Sequence, residues 1–497
     1  MDPQIPRLAR SMWKRFGIAF GLIVVMSAAA TATAALLQVK DIADALNKGT
    51  HLNLGKDTVT RAEVGGPQTI MVLGSDHRSF YGKHVRGNSD TMMLIRLDPD
   101  KAATSIMSIP RDLKVPISYR GNVQTGKINS AYNLGGAGLS ARTVRRVLGI
   151  PINHVIDMDF GGFRHAVDRV GCIYTDVDRR YFNDNSGGGE PYAQINLQPG
   201  YQKLCNYNAL AYVRFRHEDT DLVRAARQQD FIRQAKDQLS ASRLFDDREA
   251  LAKILGAYTS TDIRGTTQVL ELIKLAIFSA GHPIREVHFR GDIGETYVTI
   301  SDTNLRRTVG EFRSGRASNG PRETSSSSSN GSSSKGSSRR GSRSTSAGLP
   351  RGVINSRVEG EDFVAAASTH LAFPTYYPRV RLSRGRYLYD RPRVYDVFDR
   401  AHRRYRAYRI TVATGVQGQF YGVQGTNWKS PPILDNPSST TRMRGRTYEL
   451  FTDGNRLALV AWRTPRGAYW VSNTLSRTLT NRQMLAIARS LARVGER

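Results

Sequence analysis

Hydrophobic positions along this chain fall into blocks of different period. Residues 69–74, 91–97 and 103–109 are near-continuous apolar runs of strand length, the pattern of strands covered on both faces. The turn chemistry of Asp98-Pro99-Asp100-Lys101 predicts that the second and third runs form a hairpin. Helical spacing then takes over at 139–148, stopped by Gly149 and Pro151. A strand is expected at 155–158, a helix at 160–170, a strand at 172–177 and a Gly-rich loop at 183–189. Helices follow at 208–215 and 221–239, the second carrying Leu222, Ala226, Phe231, Ile232 and Ala235. More helix is expected through about Ala280, then a strand at 284–290 and a helix near 304–312. Strands alternating with helices predict an α/β unit over 69–312, layered α/β/α around a central mixed sheet.

The flanks read differently. No residue from Phe16 to Val39 is charged, and a membrane span needs about 20 apolar residues, so 16–39 is expected to be a transmembrane anchor. Arg7, Arg10, Lys14 and Arg15 in segment 1–15 favour a cytoplasmic N-terminus, with the bulk of the chain extracytoplasmic. Small residues at 28–35 keep a cleaved signal peptide as the rival reading. Residues 40–68 form a polar connector. Residues 313–350 are a Ser/Gly/Arg-rich linker that cannot bury enough apolar surface to offset the entropy of ordering. The last unit, 351–497, is expected to be a small α+β domain, with strands at 405–412, 447–451, 457–461 and 468–471 and a helix at 481–494 capped by Thr480.

Charge changes this picture. With 72 Lys+Arg against 43 Asp+Glu, a net charge of +29 predicts attraction to polyanions. An extracytoplasmic position removes nucleic acid and leaves anionic lipid, phosphorylated substrates and acidic wall polymers. The basic linker is either a solvated tether or a segment held against such polymers. The only two cysteines, Cys172 and Cys205, are expected to pair in an oxidising compartment, with two buried thiols as the alternative.

Two groups of residues suggest chemistry. Asp76 follows the first strand, Asp90 opens the second and Arg111 follows the third; if these strands are neighbours, the three meet at one sheet edge. Two carboxylates without a His/Cys cluster suit Mg²⁺, although Asp at strand ends is also common in turns. Then Arg214, Arg216, Arg224 and Arg227 crowd around a helix junction, with Gln228 one turn after Arg224 on the same face. Guanidinium forks of this density grip phosphate; the bland alternative is a basic surface paired with Glu218, Asp219 and Asp221.

The run Val72-Leu73-Gly74-Ser75-Asp76, then Ser89-Asp90-Thr91, Ile109-Pro110-Arg111-Asp112, Lys127-Ile128-Asn129-Ser130-Ala131-Tyr132, Asp159-Phe160-Gly161-Gly162-Phe163, Val167-Asp168-Arg169-Val170-Gly171 and the block from Arg214 to Gln229 resembles the LytR-CpsA-Psr family in motif and order. The resemblance implies an α/β phosphotransferase that attaches a glycopolymer from a polyprenyl pyrophosphate carrier to peptidoglycan through a phosphodiester, beside the membrane lipid that confines the donor. By motif, Asp76 and Asp90 would hold Mg²⁺; Arg111, Arg214, Arg216 and Asp221 would act on the reacting phosphates; Arg78, Lys127, Arg224 and Gln228 would bind the substrate. Where the family often has arginine two positions before Asp90, this chain has Asn88, with Arg86 and Arg78 as substitutes at hand. The attacking group would be a wall sugar hydroxyl, with Asp112 or Asp221 as base. The apolar helices between 225 and 280 are either plain core or a slot for the prenyl chain. Trp428, Trp462 and Trp470 are either core or sugar-stacking residues. A hydrolase acting on the same carrier, and a non-catalytic wall-binding regulator, are the competing functions.

Overall fold

The computed structural model describes residues 50–75, 89–186, 193–216, 219–239, 247–268, 284–322 and 348–495, apart from 56, 64 and 266, together with residues 40, 44, 271 and 282. The expected anchor at 16–39 and the linker stretch 323–347 lie outside the described residues. Among those described, no helix is long and apolar enough to cross a membrane.

In the first unit the strands are β1 (Thr50–His51), β2 (Gln68–Ser75), β3 (Ser89–Asp98), β4 (Ala103–Ile109), the hairpin β5 (Lys114–Tyr119) and β6 (Asn122–Lys127), β7 (His154–Asp159), β8 (Ile173–Val177), β9 (Gly200–Leu204), β10 (Thr259–Thr261) and β11 (Ile284–Val287). The helices are α1 (Ser130–Leu148), α2 (Phe160–Arg169), α3 (Asn206–Arg214), α4 (Asp221–Gln238), α5 (Arg248–Tyr258) and α6 (Asp302–Ser314). Seven strands form one mixed sheet in the order β1-β10-β7-β2-β3-β4-β11. The β2–β3–β4 meander is antiparallel, while β2 runs parallel to β7 and β4 parallel to β11. Successive strand residues face opposite sides. Met71 and Leu73 of β2 therefore pack with Leu139, Val144 and Leu148 of α1 and Phe312 of α6, while Ile70 and Val72 face the other layer. Each fully buried side chain of this size contributes roughly 1.5–3 kcal/mol. The fold is α/β with a central mixed sheet covered on both faces.

Several elements depart from the sequence expectation. Helix α1 starts at Ser130, nine residues before the periodic stretch at 139, because Gly135-Gly136-Ala137-Gly138 hides its first half. Gly136 takes φ 66° and ψ −161°, so the helix is two segments joined at a kink. The helix expected through Ala280 is interrupted: α5 ends at Tyr258 and Thr259–Thr261 becomes β10, wedged between β1 and β7. Its three residues are too few to show a period. The connector supplies β1 and packs Leu52, Leu54 and Val59 against the core. At the far end α6 runs to Ser314, and Ser318 and Arg322 are buried beyond it, so packed structure extends past residue 312.

The second unit is built on an antiparallel sheet of eight strands: β12 (Arg386–Tyr387), β13 (Arg393–Phe398), β14 (Arg404–Ala413), β15 (Phe420–Thr426), β16 (Ser439–Met443), β17 (Arg446–Asp453), β18 (Arg456–Thr464) and β19 (Gly467–Ser472). Helices α7 (Arg357–Ser368) and α8 (Asn481–Ser490) accompany it. Thr480 caps α8 in a reciprocal box with Gln483. The helix stops at Ser490 and Leu491–Arg493 turns into a strand paired with Tyr376–Pro378. Trp462 and Trp470 are fully buried, which makes them core residues.

The two units are packed together. Tyr174 and Tyr201 of the first stack into a cluster with Tyr395, Trp428 and Trp470 of the second. Arg409 Nη1 meets Asp176 at 2.9 and 3.0 Å, and Trp470 Nε1 donates to the same carboxylate at 3.2 Å.

Candidate active site

The polar ends of the central strands meet the N-terminus of α4. Ile109 ends β4, and the next residues, Pro110-Arg111-Asp112, lead into the β5–β6 hairpin. Thr220 caps α4, its hydroxyl accepting from the Val223 N–H at 3.2 Å. Asp221 occupies the first helical turn, where a carboxylate complements the helix dipole. It accepts the Arg111 backbone N–H at 2.9 Å, binds Arg224 Nη2 at 2.6 Å and lies 3.8 Å from Arg111 Nε. Asp112 lies 3.8 Å from Arg111 and binds Lys127 Nζ at 3.0 Å. Lys127, Asp112, Arg111, Asp221 and Arg224 thus form one alternating chain of charge.

Among the described residues that chain sets two carboxylates against three cations. Arg224 is buried, and its Nε and Nη1 have no hydrogen-bond partner among the described residues. A buried donor without a partner costs about 1–3 kcal/mol, a penalty an anionic ligand would remove. Gln228, one turn along α4, donates to Thr91 Oγ1 at 3.0 Å and Val213 O at 3.1 Å. It ties the helix to β3 next to Asp90. Arg214 ends α3 with its guanidinium 3.9 Å over the Phe160 ring. Arg216 is half-buried two residues further on. Asp76 and Arg78 lie outside the described residues, as does the side chain of Asp90, whose backbone belongs to β3. The structure brings together Arg111, Lys127, Asp221 and Arg224 through ion pairs, and ties in Gln228 through Thr91.

The four arginines of the junction divide. Arg227 is fully buried, pairs with Asp219 and donates to Phe215 O at 2.8 Å, so it braces the α3–α4 corner. Arg179 joins it on Asp219 at 3.0 Å. Beneath the sheet edge, Asp157 accepts Ser75 Oγ at 2.7 Å and Tyr132 OH at 2.6 Å. None of Asp157, Tyr132 and Phe160 had been assigned a site role from sequence.

The motif Asp159-Phe160-Gly161-Gly162-Phe163 has a separate job for four of its residues. Asp159 caps α2 by accepting the Gly162 N–H at 2.7 Å. Phe160 carries Arg214. A Cβ on Gly162 would stand 2.6 Å from Cβ of Tyr258, so only glycine lets α5 approach. Phe163 lines an apolar chamber of about 130 Å³ between the sheet and α2, α3 and α4, with Val72, Met93, Val213, Phe231 and Ile232. Arg214, Gln228 and Thr91 complete its wall. Of its lining, Gln228, Phe231 and Ile232 come from the helical stretch 225–280 in which a slot is expected. Cys172 and Cys205 form a disulfide linking the exit of α2 to the entry of α3, and Asp168 beside it accepts Asn206 N and Nδ2 at 2.9 and 2.6 Å.

A second charged cluster lies further along α4, around Asp230. Asp230 accepts Arg477 Nη2 at 2.5 Å, Arg233 Nη2 at 2.6 Å and Arg322 Nη2 at 3.0 Å. Arg322 also pairs with Glu286 and, at 2.6 Å, with Asp453. Its Nη1 donates to Ala226 O and Leu475 O, both at 3.0 Å, so one guanidinium joins the two units. Burial pushes the Glu286 carboxyl up to about 7 and holds the His288 imidazole down at about 4.

The family model for LytR_cpsA_psr matches residues 30–305. The chain belongs to the LytR-CpsA-Psr family. Similar proteins include a polyisoprenyl-teichoic acid–peptidoglycan teichoic acid transferase, TagV of Bacillus subtilis, 30% identical over 45% of this chain and 56% of the relative. TagU of Bacillus mycoides, which carries the same transferase name, is 34% identical over 33% of this chain and 50% of the relative. The chain thus spans about half the length of these curated relatives. The crystal structure of B. subtilis TagV aligns with 51% of this chain and 98% of its own, at 25% identity and a TM-score of 0.42. The matched region holds the motifs of the first unit and ends before the second.

Proposed function

We propose that this LytR-CpsA-Psr protein is an extracytoplasmic phosphotransferase that moves a glycopolymer from a polyprenyl pyrophosphate carrier to peptidoglycan. The observation that carries the reading is Arg224, buried beside Asp221 with two nitrogens unpartnered among the described residues, one helical turn before Gln228, which with Arg214 lines an apolar chamber. Buried guanidinium nitrogens near an apolar cavity suit a molecule with a pyrophosphate head and a hydrocarbon tail. The α4 N-terminus adds favourable dipole and backbone donors for the same anion. The relatives are polyisoprenyl-teichoic acid–peptidoglycan teichoic acid transferases, which are of the same class.

Within this reading the chain's own residues orient and neutralise. Arg111, Arg214, Arg216, Arg224 and Lys127 would hold the phosphate oxygens, and Phe160 would fix the plane of Arg214. Phosphoryl transfer asks mainly for such positioning and charge stabilisation. Asp112 and Asp221 are each held by cations, which casts them as positioning residues rather than the base. By the family resemblance Asp76 and Asp90 would hold a hard cation, and two carboxylates are an all-oxygen donor set of the kind Mg²⁺ takes. Mg²⁺ bound there would supply charge neutralisation at the pyrophosphate. The segment 16–39 would keep the enzyme beside its bilayer-bound donor.

The test is transfer from a synthetic polyprenyl pyrophosphate glycan to peptidoglycan by the full chain in detergent. Arg214→Ala and Arg216→Ala should each abolish turnover with an unchanged melting temperature. Unchanged rates in both would remove the cluster from the reaction. Release of polymer phosphate without any wall conjugate would assign a hydrolase instead.

A further inference from the structure

The second unit carries an arginine-lined groove with no role in the chemistry above. Its volume is about 930 Å³, and it runs between the segment at Leu349, the β16–β17 turn, Val380 and α8. Arg351, Arg379, Arg444, Arg446, Arg482 and Arg489 line it, and no acidic residue does. Arg351, Arg444, Arg482 and Arg489 are exposed, and none has a carboxylate partner among the described residues. The groove is also shaped. Arg446 Nη1 donates to Leu491 O at 3.1 Å and its guanidinium stands 5.2 Å from the Tyr376 ring centroid. Gln483 Nε2 donates to Arg351 O at 3.1 Å, which pins that arginine's backbone to α8.

Folding gives no reason for this arrangement. Six like charges around one concavity repel each other. Arg482 sits in the first turn of α8, at the positive end of the helix dipole, where a cation is unfavourable and where no acid offsets it. A locally broken rule without structural compensation points to a ligand. Arg482 and Arg489 are seven residues apart, hence two turns on one face and about 10 Å along the axis. A single phosphate cannot meet both, while a linear polymer with repeated charge can. The chain's own linker is not the occupant: residues 324–347, which lead into the groove at Gly348, carry Lys335, Arg339, Arg340 and Arg343 and no Asp or Glu. A concave site recessed between a helix and a strand turn also fits a chain better than a flat bilayer.

We propose that this groove binds a linear phosphodiester polymer, holding the glycopolymer away from the reacting end. The choice of polymer rests on the reading above; the charge argument does not. Recognition would be electrostatic, through release of counterions, and so steeply salt-dependent.

The experiment uses the full chain in detergent and a fluorescent glycerol-phosphate oligomer of about 12 units, a length well beyond the Arg482–Arg489 spacing. Neutral dextran and phosphatidylglycerol vesicles serve as the comparison probes. The oligomer should bind, dextran should not, and inorganic phosphate should compete only weakly. Arg482→Ala with Arg489→Ala should weaken binding at least tenfold and lower the salt slope by about 2, one per lost phosphate contact. Release from a donor with a short glycan should be unchanged in that variant. No detectable oligomer binding, equal binding by the double variant, or binding to the vesicles alone would each overturn the proposal. Arg224→Ala separates the two readings, because it should lose transfer and still bind the oligomer.

Discussion

Helix α4 carries two arginine clusters that composition alone would not tell apart. At its start, Arg224 and Arg111 share Asp221, and two nitrogens of Arg224 stay without a partner among the described residues. In its second half, Arg233, Arg322 and Arg477 surround Asp230, Glu286 and Asp453, three cations against three acids. Among the described residues the first cluster has two carboxylates, Asp112 and Asp221, for three cations, and Gln228, one turn on, lines an apolar chamber. The second matches three acids to three cations and seals the contact between units. The local supply of carboxylate among the described residues is what differs between the two. Buried pairs need that supply, since removing one partner strands a charge in low dielectric.

The largest expected effect comes from breaking the neutralised cluster. Arg322→Ala leaves Asp230, Glu286 and Asp453 with one guanidinium fewer and should cost about 3–5 kcal/mol. Urea unfolding of the chain reads this directly, and a loss below 1 kcal/mol would mean that the cluster does not hold the units together. Arg224→Ala tests the first cluster. Transfer should fall roughly 100- to 1,000-fold, the range for one preorganised donor, with unfolding nearly unaffected. If stability drops instead and rate does not, the two clusters of α4 do not differ as argued.

Protonation sharpens the contrast further. The raised Glu286 carboxyl contributes stability that is full below about pH 4.5 and lost as pH rises through about 7. The depressed His288 contributes stability present above about 6.5 and lost as pH falls through about 4. Between these limits the slopes oppose, with Arg322 and Asp453 facing both groups, Arg233 and Asp230 facing Glu286, and Arg290 and Arg477 facing His288. Glu286→Gln removes one slope, so the variant should lose roughly 3 kcal/mol between pH 6.5 and 4, at about 1.4 kcal/mol per unit. A flat profile in that variant, followed by denaturant midpoints, would contradict the buried, uncharged His288. The smallest effect is Arg233→Ala. This is the most exposed of the three arginines at 21%, and its loss should cost about 1.5–3 kcal/mol, the worth of a charged hydrogen bond.

Much of this was legible in the chain. The meander β2–β3–β4 departs from the apolar runs by at most two residues at any end, because strands buried on both faces leave little freedom. That Arg224 and Gln228 share a face of α4 follows from helical spacing alone. What could not be read was whatever depends on distant partners. Nothing in Asn319-Gly320-Pro321-Arg322 marks Arg322 as buried, since its acids come from α4, β11 and β17. Strand β10 is too short to show a period, and the glycines of α1 argued against a helix that tertiary packing nonetheless imposes. Aromatics such as Trp470 declared their size but not whether a second unit would cover them.

Arg322 is also the last packed residue before the polar stretch, and Gly348 is where the chain rejoins the groove of the second unit. Both ends of segment 323–347 are therefore stitched to one body. A protease that severs it would not release either half: the two fragments should travel as one particle on a sizing column and part only in denaturant. The second unit supplied as a separate chain should find its seat on α4 unaided.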